Sequence, residues 1–481
     1  MRSGAHGRRF FFFYSGRKLL WRNACRPSPR GERGEVRWGR NQNISLFNES
    51  IFAMTEDSRP ALKPANENPW YLMATLYGEQ STENIDPKLA DKNRTVWNQW
   101  MMAALEPELR EKFPDNFFTE RKLFSLPLEE ELAVTQKFAL RAPAGMDLPY
   151  PRNPIDFRNV CFSKEVDFTG FIFPRDVSFD GAVFGKDVHF NQAVFAADAN
   201  FGTSMFSGPA EFQRANFSRA GNFQGATFSR NADFEAAVFC AGAYFNRAVF
   251  LNDIFFQGAV FESETYFFNA KFLASVPDFR DAKLREATEW HDATWPDPPQ
   301  DADGAHWQLY TYERLKAEME RLKKHEEEQF FFAKELRARR ALLWFAAINK
   351  EAKRAEGPEK SRNLSERVDA GFRWSLNWLY DFSSGYGLSI GRPLASLGVL
   401  LGAGVFFFAT RNSLGNAPMN LWDALNLSAT NLISFLPYKS DNWASAHLTA
   451  SAKWVGNAQS FFGLVLLFLL GLALRNRFRM K

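Results

Sequence analysis

The sequence predicts a β-solenoid, followed by a helical segment and two membrane-spanning helices. Large apolar residues, nearly all of them phenylalanine, recur from residue 157 to residue 295 at alternating steps of five and six. The positions between them are rich in Gly, Asn, Asp and Ser, which suit chain reversals. Two segments near the carboxyl end are long, apolar and uncharged. These three observations define the expected architecture.

The repeat places 26 large apolar residues at regular positions, and 23 of them are phenylalanine. The last three are Leu284, Trp290 and Trp295, and one extra residue accompanies Pro277. An internal repeat of this length must be explained by the architecture as a whole. The central members, which we predict to form a structural ladder, are Phe179, Phe184, Phe190, Phe195, Phe201, Phe206, Phe212, Phe217, Phe223, Phe228, Phe234, Phe239, Phe245, Phe250, Phe256 and Phe261.

The spacing and the residues between the rings together exclude a helix, and the spacing excludes a continuous strand. Steps of five would split the rings into two helical stripes about 140° apart, and Pro174, Pro209 and Pro277 interrupt the run. A continuous strand alternates its side chains with period two, and five is odd. Short extended pieces separated by corners fit, because a ring and the small residue two before it, such as Phe217 and Ala215, then face inward together.

The repeating units resemble those of the pentapeptide-repeat proteins, in their Phe-centred variety. The resemblance implies a right-handed quadrilateral β-helix over 151–296, with four units in each coil and between six and seven coils. Units of six residues depart from the five-residue pattern and predict bulged corners on alternate sides. The units that carry the resemblance are FDGAVF (179–184), FNQAVF (190–195), FQGATF (223–228), FNRAVF (245–250) and FQGAVF (256–261).

Residues 1–53 differ in composition from the remainder of the chain. They contain eleven Lys or Arg against three acidic residues, and they lack the apolar core of a signal peptide. We predict a mis-called or disordered basic leader, with Met54 opening the protein, and a nucleic-acid-binding arm is the alternative. Without this leader the net charge falls from +4 to −4, so no nucleic-acid partner is expected.

Residues 54–150 are predicted to form a small mixed domain that caps the first coil. The stretch NPWYLMATLYGEQ (68–80) predicts a strand, and 91–113 has apolar residues at helical spacing. Together they resemble the segment that precedes the repeats in membrane-attached bacterial members of the family. A cap is expected because the open end of a β-helix exposes an unpaired edge.

Beyond the repeats, residues 305–357 predict one charged amphipathic helix with a solvated face, followed by a juxtamembrane segment over 358–392. The stretch HEEEQ (325–329) lacks the second histidine of a zinc motif. We therefore expect no metal at this helix.

Two apolar segments, 393–410 and 454–474, are long enough to cross a bilayer. The connection 411–453 carries few basic residues, so the positive-inside rule places both termini and the tail 475–481 in the cytoplasm. The segments 383–394 and 466–481 resemble those of membrane-attached pentapeptide-repeat proteins, which implies the bacterial inner membrane. The basic residues that set this orientation are Arg392, Arg475, Arg477 and Arg479.

A short apolar helix is predicted at 421–437, inside the connection between the two spans. It is too short to cross a bilayer, so it is either interfacial or re-entrant. The order of span, short helix and span is reminiscent of two-span cation channels. However, no carbonyl-rich filter sequence follows the short helix.

No catalytic constellation is present in the sequence. His189 and His291 each neighbour a ladder position and are expected to face outward or lie at a corner, and no nucleotide-binding or nucleophile motif is found. We expect neither enzymatic activity nor a cofactor.

The sequence therefore predicts a membrane-tethered protein-interaction scaffold, with membrane lipid and an unidentified protein as its partners. The alternatives are a degenerate two-span channel-like protein and a topoisomerase-modulating DNA mimic. The mimic needs a strongly acidic exterior, whereas residues 157–295 carry a net charge of only −5. The sequence leaves open the oligomeric state, the biological process and the identity of the protein partner.

Overall fold

The structure is a computed structural model of the chain, in which two compact units are distinguished. The first unit comprises Met1–Glu211 and Gly221–Ser229, and the second comprises Phe212–Ala220 and Arg230–Lys481. The predicted leader 1–53 and the start at Met54 lie outside the described residues. The structure describes residues 61–80, 85–103, 105, 128–348, 358–410, 419–433 and 448–479.

The amino-terminal elements belong to the first unit. They are β1 (Lys63–Pro64), a 3-10 helix (Ala65–Glu67), α1 (Pro69–Ala74), α2 (Pro87–Ala103) and α3 (Leu128–Arg141). The strand predicted within 68–80 is a helix. Asn68 Oδ1 accepts hydrogen bonds from the backbone nitrogens of Trp70 and Tyr71 at 3.0 and 3.1 Å, and Pro69 occupies the first helical position. This cap starts a helix where composition alone indicated a strand.

The repeat region is built from 23 short strands. They are β2 (Ile155–Asp156), β3 (Val160–Phe162), β4 (Val166–Asp167), β5 (Ile172–Phe173), β6 (Val177–Ser178), β7 (Val183–Phe184), β8 (Val188–His189), β9 (Val194–Phe195), β10 (Ala199–Asn200), β11 (Met205–Phe206), β12 (Ala210–Glu211), β13 (Asn216–Phe217), β14 (Gly221–Asn222), β15 (Thr227–Phe228), β16 (Ala232–Asp233), β17 (Val238–Phe239), β18 (Ala243–Tyr244), β19 (Val249–Phe250), β20 (Ile254–Phe255), β21 (Val260–Phe261), β22 (Thr265–Tyr266), β23 (Lys271–Phe272) and β24 (Thr288–Glu289). All sheet pairing is parallel, and with β1 the strands form four sheets in the orders β1-β3-β7-β11-β15-β19-β23, β2-β6-β10-β14-β18-β22-β24, β20-β16-β12-β8-β4 and β21-β17-β13-β9-β5. The predicted β-solenoid, of about six turns, is therefore confirmed.

The phenylalanines stack in ladders inside the coils. In the first unit the rings of Phe201 and Phe223 lie 4.9 Å apart and within 2° of parallel. In the second unit Phe217 and Phe239 lie 4.6 Å apart and within 4° of parallel. Every predicted ladder residue from 179 to 261 is at most 1% exposed. Each ladder step repeats after 22 residues, because two steps of five and two of six complete one coil.

Two kinds of corner alternate around each coil. Every five-residue step begins with a four-residue turn whose third residue has positive φ. In the turn from Phe179 to Ala182, for example, Gly181 has a φ of 68°, and Ala182 N donates to Phe179 O at 2.9 Å. This is the pattern of a type II turn. The corners of the six-residue steps contain no positive φ among the described residues. The left-handed residues of the repeat are Asn159, Gly170, Gly181, Gln192, Thr203, Arg214, Gly225, Ala236, Arg247, Gly258, Asn269, Asp281 and Asp292.

In the first unit, α2 covers the first coil. Trp97 is fully buried, and its Nε1 donates to the carbonyl oxygen of Ile172 at 2.9 Å. Asn98 donates from Nδ2 to Gly170 O at 3.0 Å and accepts from Ile172 N at 2.8 Å. Backbone groups at the edge of this coil are thus paired with side chains of a helix.

In the second unit, α4 (Ala302–Arg321) and α5 (His325–Ile348) form a hairpin against the last coil. The ring of Phe331 lies 5.0 Å from Trp295 and 6.2 Å from Trp290. The sequence predicted one helix over 305–357, whereas the structure has two. The chain reverses at Lys323, where φ is 58°, and Lys324 Nζ donates to Thr288 O on the last coil at 2.5 Å.

The described residues of the second unit form four further helices. They are α6 (Pro358–Ser384), α7 (Gly391–Thr410), α8 (Leu421–Leu432) and α9 (Ala450–Arg479). The helix α7 spans the predicted segment 393–410, and α9 contains the predicted segment 454–474. The short helix predicted at 421–437 forms over 421–432, and residues 434–437 lie outside the described part of the chain.

Candidate functional site

The helices α7 and α9 are long and apolar enough to span a membrane. Their best 18-residue windows have mean hydropathies of 1.8 and 1.9, and only 17% and 22% of these windows is buried within the protein. Large apolar side chains such as Val399, Phe406, Phe461 and Phe468 face outward. A core helix of a soluble protein would bury most of this surface.

The short helix α8 packs between α7 and α9. It begins beside the end of α7, where Met419 N donates to Phe408 O at 3.3 Å. Further along, Ser428 Oγ donates to Leu401 O at 3.0 Å, and Leu401 lies midway along α7. The helix α8 therefore runs back along α7 as far as its centre.

A buried polar cluster holds these three helices together. Gln459 of α9 donates from Nε2 to Leu400 O at 3.2 Å and to the hydroxyl of Ser428. Asn431 Nδ2 donates to Gln459 Oε1 at 3.4 Å. These amide and hydroxyl groups satisfy one another between apolar surfaces, which is how polar side chains are accommodated in helix packing within membranes.

We expect Gly463→Ala to loosen the contact between α8 and α9. A Cβ at Gly463 would lie 2.8 Å from Leu432 O and 3.0 Å from Leu432 Cα, so the backbone itself must move. Overpacking of this kind costs about 1–3 kcal/mol, and a lowered melting temperature in detergent measures it. The control is Gly471→Ala, because a Cβ there meets nothing within 4 Å. Equal melting temperatures for the two variants would contradict the close packing.

The opposite end of the two apolar helices carries a charged junction. Asp381 of α6 accepts hydrogen bonds from Arg340 at 2.9 Å and Arg337 at 3.4 Å, and Arg392 Nη1 donates to Asp381 O at 2.7 Å. Tyr386 is buried in this junction, and burial raises its pKa to about 12. The Tyr386 hydroxyl donates to Asn377 Oδ1 at 2.6 Å.

The structure brings the predicted orientation residues to one end of the apolar helix pair. Arg392 lies in the first turn of α7, and Arg475, Arg477 and Arg479 lie in the last turns of α9. The two ends meet, since Asn476 Nδ2 donates to Gly387 O at 3.2 Å. Among the described residues, four arginines thus lie at this end of the pair, against one basic residue, Lys453, in the first turn of α9 at the other end.

On the solenoid surface of the first unit, His189 lies between two carboxylates of neighbouring coils. Its Nδ1 is 2.7 Å from Glu211 Oε2, and its Nε2 is 3.0 Å from Glu165 Oε1. Burial alone would lower the pKa of His189, but the hydrogen bonds and charges of the carboxylates outweigh it and raise the pKa to about 9. The outward direction predicted for His189 agrees with this position, and the two flanking acids were not predicted.

This cluster predicts a pH-dependent stability of the solenoid. Because the pKa of His189 rises from 6.5 to about 9 on folding, its stabilisation is full below pH 6.5 and is lost as the pH rises through 9. We expect the melting-temperature difference between the wild type and His189→Gln to shrink over that range. His306→Gln, at an exposed histidine, is the control. A difference that stays constant between pH 6 and pH 10 would contradict the ion cluster.

The second unit presents an aromatic patch on the outside of its last coils. The patch consists of Tyr244, Tyr266, Phe268 and His291. Ring centroids lie 5.8 Å apart for Tyr244 and Tyr266, 5.0 Å for Tyr266 and Phe268, and 6.2 Å for Phe268 and His291. All four side chains retain solvent exposure. The patch was not predicted from the sequence, although an aromatic residue directly beside a ladder ring, as in YFF at 266–268, indicates it.

Among the described residues, no group of three or more His, Cys, Asp and Glu side chains is placed to hold a metal ion. The class of protein that the structure defines is a parallel β-solenoid with phenylalanine ladders, joined to two apolar helices of membrane-spanning length. Comparison of the chain with protein-family models, curated proteins and solved structures finds no match. The pentapeptide-repeat assignment therefore stays a prediction from the repeat units.

Proposed function

We propose that this chain is a non-catalytic protein-interaction scaffold of the pentapeptide-repeat type, tethered to a bacterial cytoplasmic membrane by α7 and α9. The observation that carries the proposal is the exposed apolar surface of these two helices. Each large apolar side chain left in water forgoes about 1.5–3 kcal/mol of burial free energy. A bilayer removes that cost along the apolar segments of both helices.

The basic end of the helix pair supports a cytoplasmic location for the solenoid. Arg392 and Arg475 lie at the same end of the pair, which the positive-inside rule assigns to the cytoplasm. The solenoid and α6 precede α7 in the chain, so they emerge on that side. The junction at Asp381 then lies at the cytoplasmic surface of the membrane.

In this arrangement α8 is re-entrant rather than interfacial. The hydrogen bond from Ser428 to Leu401, at the centre of α7, supports a position of the second half of α8 within the hydrocarbon layer. The polar groups of Ser428, Asn431 and Gln459 are paired with one another there. Such pairing permits polar side chains at that depth.

The aromatic patch is the surface that we assign to protein binding. Tyrosine and other aromatic residues are enriched where binding energy concentrates in interfaces. The ladder beneath the patch holds it rigidly, since Phe245 and Phe267 stack at 5.1 Å directly behind it. Rigid aromatic side chains lose little conformational freedom when a partner binds.

Topology mapping tests the membrane part of the proposal. A cytoplasm-active reporter is expected to work when fused at residue 300 or at residue 481, and a reporter inserted near residue 440 is expected to work only in the periplasm. The full chain is also expected to resist extraction from membranes by carbonate. A periplasmic signal at residue 481, or release by carbonate, would overturn the tethered scaffold.

Photocrosslinking in intact cells tests the partner surface. A photoreactive amino acid at Phe268 is expected to give a discrete adduct with a protein of another chain. The control is the same amino acid at Gln224, which occupies the equivalent position after Phe223, two coils earlier, and is exposed. Identical patterns from both positions would remove the patch as the binding surface.

A channel-like function is the second candidate, and the position of α8 between two spans favours it. Ion flux through proteoliposomes that contain the purified chain separates the two functions. A scaffold gives flux no greater than that of empty vesicles. A cation current that Gln459→Leu changes would instead establish the channel.

A further inference from the structure

The helix α6 exposes a continuous apolar stripe. Over most of the stripe its residues are spaced by three or four positions, and each side chain is between 45% and 64% exposed. Spacing of this kind places side chains on one face of a helix. The members of the stripe are Leu364, Val368, Phe372, Leu376, Trp378, Leu379 and Phe382.

Within the described part of the chain this stripe stays uncovered, and α6 packs on α5 with a different face. Arg367 Nε donates to Ala347 O at 2.9 Å, and Asn377 Nδ2 donates to Leu336 O at 3.3 Å. On the same side the ring of Trp374 lies 5.4 Å from that of Trp344. The stripe is thus a second apolar surface, turned away from the helix that holds α6 in place.

The stripe leads directly to the first apolar helix. Only residues 385–390 separate α6 from α7, and Arg392 ties the two helices together through the carbonyl oxygen of Asp381. Phe382, at the end of the stripe, is followed by the exposed side chains of Leu388 and Leu394. The apolar surface of α6 is therefore continuous with the surface that we assign to lipid.

We propose that α6 is an in-plane membrane helix, with its apolar stripe inserted into the cytoplasmic surface of the bilayer. This inference rests on the proposed function, since it requires α7 to span the membrane. The stripe from Leu364 to Phe382 is about 27 Å long at 1.5 Å per residue, so α6 would contact the membrane surface over that length. A second apolar stripe with aromatic members beside a span is typical of interfacial helices.

The charge of α6 specifies the kind of lipid contact. Residues 358–384 contain four basic and four acidic residues, so the helix has no net charge. Insertion then depends on apolar area rather than on anionic headgroups. The same insertion depth is expected in vesicles of neutral phosphatidylcholine and in vesicles that contain anionic phosphatidylglycerol.

Spin-label depth measurement on the full chain in such vesicles tests the inference. The native cysteines are replaced by alanine, and a label is attached at Phe372→Cys on the stripe. The matched control is Arg373→Cys, the next residue, which faces the charged side of α6 and pairs with Asp369. A third label at Val399→Cys on α7 reports whether the apolar helices are in the bilayer.

The label at residue 372 is expected to lie about 5–10 Å below the headgroup level, accessible to oxygen and shielded from a water-soluble nickel complex. The label at 373 is expected to remain accessible to nickel. If the nickel complex reaches the label at 372 while the label at 399 is buried in lipid, α6 is not an in-plane helix, but α7 still spans the membrane. Nickel access at both 372 and 399 overturns the tether as well. Dipolar broadening between labels at 372 of different copies shows a protein-covered stripe, and it also overturns the inference.

Discussion

Truncation of Phe223 to alanine is expected to lower the free energy of unfolding of the solenoid by about 3–5 kcal/mol. The ring is fully buried and stacks 4.9 Å from Phe201. Its loss leaves a cavity that the coil cannot easily close, because sheet hydrogen bonds such as those between β10 and β14 fix its backbone and the interior is close-packed. Thermal unfolding of the purified full-length chain in detergent measures the change.

The matched control for this variant is Arg219→Ala. Arg219 is exposed and precedes Phe223 in the same stretch of repeats, and its truncation is expected to change stability by less than about 0.5 kcal/mol. The contrast isolates the ring from any general effect of shortening a side chain in the repeat. If the two variants melt at the same temperature, the rings do not hold the coils together.

Replacement of Trp97 by alanine is the second change with a large expected effect. The indole is fully buried against Trp70, Phe171 and Phe173, with centroid distances of 5.6–6.1 Å. Truncation of such a side chain costs about 3–5 kcal/mol. It also removes the donor to Ile172 O, so the edge of the first coil loses a partner.

An uncovered coil edge promotes association between chains, because its backbone groups pair readily with another strand. We therefore expect Trp97→Ala to melt at a lower temperature and to scatter more light on mild heating. Thr95→Ala, at an exposed position on the same helix, is expected to do neither. A Trp97→Ala protein that stays monodisperse and melts like the wild type would show that α2 does not protect the solenoid.

The ladder could be predicted from the sequence because every coil repeats one environment. The ring of Phe201 stacks on Phe179 of the preceding coil and on Phe223 of the following coil. The spacing of the rings along the chain therefore gives the number of residues in one coil. The two apolar helices were predictable for a related reason, since a whole segment of each is apolar and long enough to cross a bilayer. In both cases many residues carry the same signal.

Elements that depend on a few residues were harder to predict. The helix at Pro69–Ala74 depends on the Asn68 cap, and the reversal between α4 and α5 occurs at Lys323 without glycine or proline. The contact of Lys324 with Thr288 stabilises that reversal, and it joins residues far apart in sequence. Tertiary contacts of this kind leave no local pattern.

The candidate surfaces were only partly visible in the sequence. The stripe on α6 has clear helical spacing, but it becomes significant only when α5 is seen to pack on another face. The acidic partners of His189 lie about one coil away on either side, so the cluster needs the register of the sheets. The aromatic patch likewise joins residues separated by one coil in the sequence.

The coil containing Pro277 shows how the length of such a protein can change. There the repeat takes 23 residues rather than 22, yet Phe256 and Phe279 still stack at 4.8 Å, because the extra residue is absorbed at a corner. Single insertions at corners therefore leave the interior unaltered. Duplication or loss of a complete 22-residue stretch of coding sequence would likewise rejoin matching rings. The length of this repeat can therefore change by whole coils without a change in its interior, provided that α2 and the hairpin of α4 and α5 are retained.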